Sequence, residues 1–261
     1  MLRIKKTSFI HLPLFLVLFT GICFTVETAY PAEVDLLVMT EEFPPFNYRK
    51  DNAINGLATK IVVKLLEEAH LSFKIELVPW KRALYTALDR PNTLIYTIAK
   101  TDARKDKFHW ICKISNRKLS MFRLRSRQDL ANMTIEEAKE KATIAVLQGD
   151  ASTEKVINMG FPIKNLTKIR DITGGNLTIK HVIRGRSDYF LMNPYSMKHR
   201  INSGDIPDLF AEQFVIHNDD GYYIAANLET DPSVLKALRN AHKRLAEIGF
   251  INKIVSEYLT F

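Results

Sequence analysis

The chain has 261 residues, of which 46% are hydrophobic and 25% are charged, with 10 glycines and 10 prolines. This is the composition of an ordinary globular protein, and it excludes a collagen, a coiled-coil rod and a disordered tail. The formal net charge of +8 arises from 37 basic and 29 acidic residues. The two signs are interspersed, and no basic stripe carries interleaved aromatic residues, which argues against nucleic-acid binding.

The first 32 residues have the pattern of a secretory signal peptide. Three basic residues among the first six precede the almost wholly apolar run 9–26. We predict cleavage near residues 29–32 and export of the mature chain. A membrane anchor, or a lipoprotein attached through Cys23, is the alternative interpretation. Cleavage leaves Cys112 as the single cysteine, which we interpret as a small core residue rather than a reactive thiol.

The first half of the mature chain alternates between strand and helix patterns. Strand-like patterns occur at 34–40, 73–78 and 93–99, helical spacing of apolar residues occurs at 57–69 and 80–88, and Pro44-Pro45 marks a loop. This order predicts an α/β sheet with a substantial parallel part. Ligands of such sheets gather at the carboxyl ends of the strands.

A second unit of similar build follows the first, over about residues 131–209. The predicted elements are a capped helix at 134–141, a strand at 142–147, a helix at 152–159, a strand at 166–169, a helix at 176–184 and a strand at 189–192. Residues 233–259 then predict two helices separated by Gly249. Two compact units joined in this way would leave a cleft, where small molecules usually bind.

Six short motifs follow one another along almost the whole mature chain. They are TEEFPPFNY at 40–48, Gly56-Leu57 at the start of a helix, VPWKR at 78–82, residues 97–104 before Lys107-Phe108, IAV at 144–146 before Gly149, and GRSD at 185–188. In this order they resemble the family-3 extracellular solute-binding proteins, the receptors of polar amino acid ABC importers.

The resemblance implies an α/β protein with the two-lobe, type II periplasmic binding protein fold. It implies that residues 1–32 are the signal peptide, that residues 33–116 and 221–261 form a discontinuous first lobe, and that residues 117–220 form the inserted second lobe. The two hinge crossings are expected at 114–121 and 217–222. Such lobes close on a ligand by hinge motion.

The function implied by the resemblance is binding rather than catalysis. A small polar solute, an amino acid or a related carboxylate, would be captured in the periplasm and delivered to an ABC permease of the inner membrane. No cofactor, metal or nucleic acid is expected, and receptors of this type act as monomers.

The resemblance also implies ligand-binding residues in the first lobe. Arg104 matches the family arginine that grips a carboxylate, and a planar guanidinium suits that group because it donates two parallel hydrogen bonds. Phe43 and Trp80 stand at or near places where aromatic rings stack on the ligand, and the alternative is that both are core residues. Arg82 is either a second anion contact or a charge on a helix surface.

Two more first-lobe residues, Thr97 and Ala99, match positions whose backbone or hydroxyl groups meet the ligand. Ala99 lacks the hydroxyl that is usual there.

The second lobe departs from the family pattern. Asp150 and Ser152 stand where backbone amides at a helix start bind carboxylate, and Asp150 either repels the ligand or caps the helix. Asn193 stands where the family has an aspartate for the ligand's ammonium, and it offers a carbonyl acceptor without the charge. Glu41 or Glu42 either supplies the missing charge or remains a solvated loop carboxylate. An α-amino acid ligand is therefore in doubt.

Two other functions are compatible with the same scaffold. A relative of cyclohexadienyl dehydratase would need an acid such as Glu41, Glu42 or Asp150 over the leaving hydroxyl. A free-standing sensory module would present its closed form to a membrane kinase or cyclase.

Overall fold

The computed structural model describes residues 36–170, 176–216 and 221–259. The expected signal peptide lies outside these ranges. The strands are β1 Leu36–Thr40, β2 Tyr48–Lys50, β3 Ala53–Asn55, β4 Phe73–Leu77, β5 Thr93–Ala99, β6 His109–Asn116, β7 Leu119–Leu124, β8 Ile144–Leu147, β9 Leu166–Ile169, β10 Tyr189–Met192, β11 Phe210–Ile216 and β12 Gly221–Ala226. The helices are α1 Leu57–Glu68, α2 Trp80–Asp89, α3 Gln128–Ala131, α4 Ile135–Lys141, α5 Ala151–Asn158, α6 Leu177–Ile183, α7 Pro194–Asn202, α8 Pro232–Glu247 and α9 Phe250–Tyr258, with a short 3-10 turn at Ile163–Asn165.

The first sheet has the strand order β4-β1-β5-β12-β6. Strand β1 pairs in parallel with β4 and β5, whereas β12 is antiparallel to both β5 and β6. Helix α1 buries Ile61, Leu65 and Leu66 completely or almost so, and it packs against α8 and α9 over one face of this sheet. Helix α2 covers the other face. Burial of these apolar stripes is what holds the first lobe together.

The second sheet has the strand order β11-β7-β10-β8-β9. Strand β8 is parallel to β9 and β10, and β7 is antiparallel to β10 and β11. Helix α6 packs against β8 and β10, and α5 packs against β8. The sheet takes in β7 and β11, so it extends beyond the limits of 131–209 that periodicity alone indicated. The predicted α/β fold of two sheet-and-helix lobes is confirmed.

The chain passes between the two sheets twice. Strand β6 ends in the first sheet at Asn116, and β7 begins in the second sheet at Leu119. Strand β11 ends in the second sheet at Ile216, and β12 begins in the first sheet at Gly221. The loop 217–220 of the second crossing is outside the described ranges. Within those ranges, none of the helices is both long and apolar enough to cross a membrane.

Gly56 fixes the loop 43–46 against the start of α1. The backbone amides of Leu57 and Ala58 donate to the carbonyls of Pro45 and Phe46, at 3.0 and 2.8 Å. Gly56 has φ +116°, and a Cβ atom added there would lie 2.3 Å from the Phe46 carbonyl oxygen. Only glycine fits this position, because the φ value and the close approach both exclude a side chain.

We expect Gly56→Ala to lower the free energy of unfolding by about 3 kcal/mol, since the cost of the backbone conformation adds to a clash with backbone atoms. Urea denaturation measures the loss. Gly204→Ala is the matched control, because Gly204 also has positive φ (+78°) but nothing lies within 4 Å of its added Cβ. That variant should lose about 1 kcal/mol, and equal losses in the two variants would contradict the proposed clash.

Candidate functional site

A cleft lies between the two sheets, at the carboxyl ends of β1, β5, β8 and β10. It encloses about 1110 Å³, part of which is open to solvent. Nine of the ten predicted site residues line it, namely Glu42, Phe43, Trp80, Thr97, Ala99, Arg104, Asp150, Ser152 and Asn193. Glu41 lines it as well. The predicted residues are therefore distant in the chain but share one cleft.

Arg104 lies in the turn after β5 with only 9% of its surface exposed. Its Nη2 donates to the carbonyl of Gly149 in the second lobe at 3.0 Å, and its Nη1 donates to the Ala99 carbonyl at 3.5 Å. Burial lowers the pKa of Arg104, and the charge of Asp150 opposes that shift. A guanidinium has five N–H groups, so these two bonds leave donors for a further acceptor in the cleft.

The guanidinium of Arg104 lies over the indole ring of Trp80. The guanidinium carbon lies 5.0 Å from the ring centroid, which is the geometry of a cation–π contact. The indole Nε1 donates to the Gly149 carbonyl at 3.3 Å. Trp80 is 7% exposed and belongs to the core cluster under α2. The core alternative therefore holds for Trp80, whose ring also contacts Arg104 in the cleft, and stacking on a ligand stays a prediction.

Phe43 is also shared between the core and the cleft. Its ring is stacked on Phe46 with centroids 5.0 Å apart, and it meets the edge of Tyr222 at 5.6 Å. Phe43 is only partly buried and lines the cleft. One aromatic wall of the cleft is thus anchored in the first-lobe core.

Thr97 is an irregular residue within β5. The pairing with β12 shifts at this point, because Tyr96 is opposite Ile224 and Ile98 is opposite Tyr223. Thr97 has φ +61°, which is strained for a β-branched residue, and its Oγ1 donates to Asn47 Oδ1 at 2.6 Å. The hydroxyl proton is therefore already used.

Asp150 is the N-cap of α5. Its Oδ1 accepts a hydrogen bond from the Ser152 amide at 2.7 Å and a second one from the Ser152 hydroxyl. Of the two alternatives raised by the sequence, the structure has the helix cap. The carboxylate charge is partly offset there by the helix N-terminus.

The structure corrects the expectation that Asn193 offers the ligand a carbonyl acceptor. Its Oδ1 accepts hydrogen bonds from the amides of Tyr195 and Ser196, at 2.9 and 3.4 Å, and so caps α7. An amide oxygen has two lone pairs, and both are used by the cap. Asn193 therefore offers the cleft an N–H donor from Nδ2 rather than the carbonyl acceptor we predicted.

Glu42 lies at the edge of the cleft beside the second lobe. Its carboxylate oxygens accept from the Arg49 amide at 3.3 and 3.2 Å, and its backbone carbonyl accepts from Arg200 Nη2 at 3.5 Å. Partial burial raises the pKa of Glu42, while the Arg49 amide and the charge of Arg200 lower it.

Arg82 is the one predicted site residue outside the cleft lining. It lies two residues after Trp80 on α2, which rotates it by about 200° around the helix axis. Arg82 is exposed and borders a neighbouring groove with Lys81 and Arg170. Its position agrees with the helix-surface alternative, and the second anion contact stays a prediction.

Among the buried residues that line the cleft, sequence reasoning missed three with polar groups, Arg117, Arg200 and Tyr222. Arg117 occupies the first crossing between the sheets, and Tyr222 occupies the start of β12. Burial raises the pKa of the Tyr222 phenol. Arg117 is close enough to Arg104 for its charge to lower the pKa of Arg104 further. The expected crossings at 114–121 and 217–222 included Arg117 and Tyr222 but did not single them out.

In the part of the chain that the structure describes, no three His, Cys, Asp or Glu side chains are grouped to hold a metal ion. Cys112 is buried, and that burial raises the pKa of its thiol to about 12. The thiol is therefore protonated at neutral pH, in agreement with the predicted core role.

Solved structures with the same architecture are numerous. A histidine kinase sensor domain with similarity to periplasmic binding proteins has a TM-score of 0.73 and 14% identity, over 86% of this chain and 95% of that one. The chain has the periplasmic binding protein fold. An arginine third transport system periplasmic binding protein from Legionella pneumophila gives a TM-score of 0.72 and 17% identity, over 87% and 100% of the two chains. The arginine-, lysine-, histidine-binding protein ArtJ from Geobacillus stearothermophilus gives 0.69 and 14%, over 86% and 94%.

No family model matches the chain, and no curated protein matches it in sequence. At 14–17% identity the likeness to these structures concerns the fold. For the fold, it confirms the resemblance that the six sequence motifs indicated.

Trp80→Phe tests the contact between the lobes of this periplasmic binding protein fold. The variant keeps an aromatic ring under Arg104 but loses the hydrogen bond from Nε1 to Gly149. We expect the ligand-free variant to favour a more open form, with a larger radius of gyration in small-angle X-ray scattering. Trp110→Phe is the control, since the indole of Trp110 donates to Lys105 within the first lobe at 2.8 Å. An unchanged radius of gyration in Trp80→Phe, or an equal change in both variants, would contradict the bridging role.

Proposed function

We propose that the protein binds a small polar acid between its lobes and delivers it to an ABC permease of the inner membrane. The proposal includes removal of residues 1–32, residence in the periplasm and action as a monomer. Residues 33–116 with 221–261 would be the first lobe, and residues 117–220 the second. Binding needs no catalytic side chain beyond the residues that line the cleft, and we therefore propose binding rather than catalysis.

The observation that carries the proposal is the position of Arg104. A cation in a cleft, with 9% of its surface exposed, needs hydrogen-bond acceptors around it because desolvation of an unpaired charge costs several kcal/mol. Its two described hydrogen bonds go to neutral backbone carbonyls. A ligand carboxylate would supply the anionic, bidentate partner that suits a guanidinium best.

Closure of the lobes would be coupled to occupancy. Arg104 and Trp80 both donate from the first lobe to the Gly149 carbonyl of the second, and Arg200 donates from the second lobe to the Glu42 carbonyl of the first. A ligand that binds this closed arrangement more tightly than an open one shifts the population toward it. A membrane partner could then recognise the closed form.

We expect Arg104→Ala to weaken binding of the acid by at least about 100-fold, because two charge-assisted hydrogen bonds are lost. Arg104→Lys should lose about tenfold, since the charge remains without the planar fork. A melting-temperature screen of amino acids and small carboxylates first identifies ligands. Titration calorimetry then gives the dissociation constants.

Arg82→Ala is the matched control, because Arg82 is an exposed arginine of the same lobe outside the cleft. It should bind as the unchanged protein does. Equal losses in the Arg82 and Arg104 variants would contradict a specific role for Arg104. A screen in which no acid raises the melting temperature would contradict the proposed function.

Sensing is the second candidate, favoured by the similarity to the histidine kinase sensor domain. It would use the same cleft and the same closure, with a kinase in place of the permease. Co-purification of the crosslinked, ligand-bound protein with a permease supports transport, whereas co-purification with a sensor kinase supports signalling. The dehydratase alternative is tested separately, since it predicts that prephenate is converted to phenylpyruvate.

A further inference from the structure

The second-lobe end of the cleft presents an unusual donor. Asn193 is 3% exposed and lines the cleft, and its Nδ2 makes no hydrogen bond of regular geometry within the described ranges. The orientation of the amide is fixed by chemistry, because only the oxygen can accept from the amides of Tyr195 and Ser196. The Tyr222 hydroxyl lies within hydrogen-bonding reach of the Asn193 side chain and can accept from one of the two Nδ2 protons. A buried N–H left without an acceptor costs about 1–3 kcal/mol, so a ligand that offers an acceptor to the other proton would recover that cost.

The surrounding groups add more donors. Arg104, Arg117 and Arg200 all line the cleft and are each less than 10% exposed. The Tyr222 hydroxyl lies among them, within reach of the charge of Arg117 and of the Asn193 side chain. The carboxylates of Glu41, Glu42 and Asp150 line the same cleft, and Asp150 and Glu41 offset part of the charge of Arg104. Like charges in a partly desolvated cleft repel one another, and an acceptor between the arginines relieves the repulsion that remains.

Several acceptors of the cleft already accept hydrogen bonds within the protein. Asp150 accepts from the amide and the hydroxyl of Ser152 at the start of α5, and Glu42 accepts from the Arg49 amide. Both lone pairs of Asn193 Oδ1 are used by α7. A ligand ammonium placed beside Asn193 would therefore meet the Nδ2 donor instead of the side-chain oxygen.

We propose that the cleft binds a small acid that carries a second oxygen acceptor besides its first carboxylate, of the 2-oxo acid or dicarboxylate type, and disfavours an α-ammonium. One carboxylate would lie on Arg104, and the second acceptor would lie on Asn193 Nδ2. This rests on the proposed function and names the class of its substrate. Apolar side chains such as Val146 and Leu191 also line the cleft and suit the carbon atoms of such an acid.

The test compares matched pairs of compounds on the purified protein. Each pair differs at the α-carbon only: 2-oxoglutarate with L-glutamate, pyruvate with L-alanine, and succinate with L-aspartate. Titration calorimetry should give at least about tenfold tighter binding for the acid without an ammonium in at least one pair.

Asn193→Asp should reverse that preference. Aspartate caps a helix as well as asparagine does, so the variant keeps the α7 cap while the donor becomes a negatively charged acceptor. We expect the dissociation constant of the preferred acid to rise about 10- to 100-fold, while that of its amino acid partner falls. Asn193→Ser keeps a capping side chain and removes Nδ2 without adding charge, so it should weaken the acid by about tenfold and bring no gain for the amino acid. Melting temperatures of the ligand-free variants check the fold.

Three results would overturn the inference. The unchanged protein could prefer the amino acid in every pair that binds, or Asn193→Asp and Asn193→Ser could both fold and leave the preference as it was. In either case the proposed function survives if Arg104→Ala still abolishes binding. Failure of all six compounds to bind would overturn the inference, and failure of the wider acid screen as well would overturn the proposed function.

Discussion

The cleft depends on how a buried guanidinium is satisfied. Arg104 lies with its flat face on Trp80 and with N–H groups on the carbonyls of Ala99 and Gly149. Neutral carbonyls and an aromatic face compensate only part of the desolvation cost of a charge. The same contacts join the lobes, because Gly149 belongs to the second sheet's loops and the other three residues to the first lobe. The contacts that compensate the charge of Arg104 are therefore also the contacts that hold the two lobes together.

Hydrogen bonds around the end of β5 fix the first-lobe backbone that leads to Arg104. Asn47 is fully buried, and its side chain links the loop after β1 to the strained bulge at Thr97, through bonds of 2.6 Å to Glu41 O and from Thr97 Oγ1. A bulge redirects the chain at the end of a strand. Strain of this kind persists only where the surroundings enforce it, and Gly56 and Asn47 supply that enforcement from the neighbouring loop.

Periodicity predicted the regular elements well because burial decides them. Burial of one face produces the helical spacing of apolar residues in α1 and α8, and burial of both faces produces the apolar runs of β1 and β5. For Arg82 the motif left two alternatives open, because a motif gives neighbours in sequence, whereas helix rotation decides which of them share a face. The cap at Asn193 could have been found, since Asn followed by Pro is a signal for a helix start. Arg117 and Arg200 could not, because their burial depends on how the two sheets meet.

A polar residue can recognise a ligand only through the donor and acceptor atoms that make no hydrogen bond within the folded chain. At Asn193 the backbone of α7 takes the oxygen, so the residue contributes only its donor, although the residue type by itself suggests both. At Asp150 the start of α5 takes Oδ1, so only part of this acidic side chain is left for a ligand. Where helices begin at a cleft, the capping side chains accept hydrogen bonds from the first backbone amides of the helix. Those side-chain oxygens are then less available to a ligand than the N–H groups. The chemistry of such a cleft is therefore biased toward anions before any ligand-specific residue is considered.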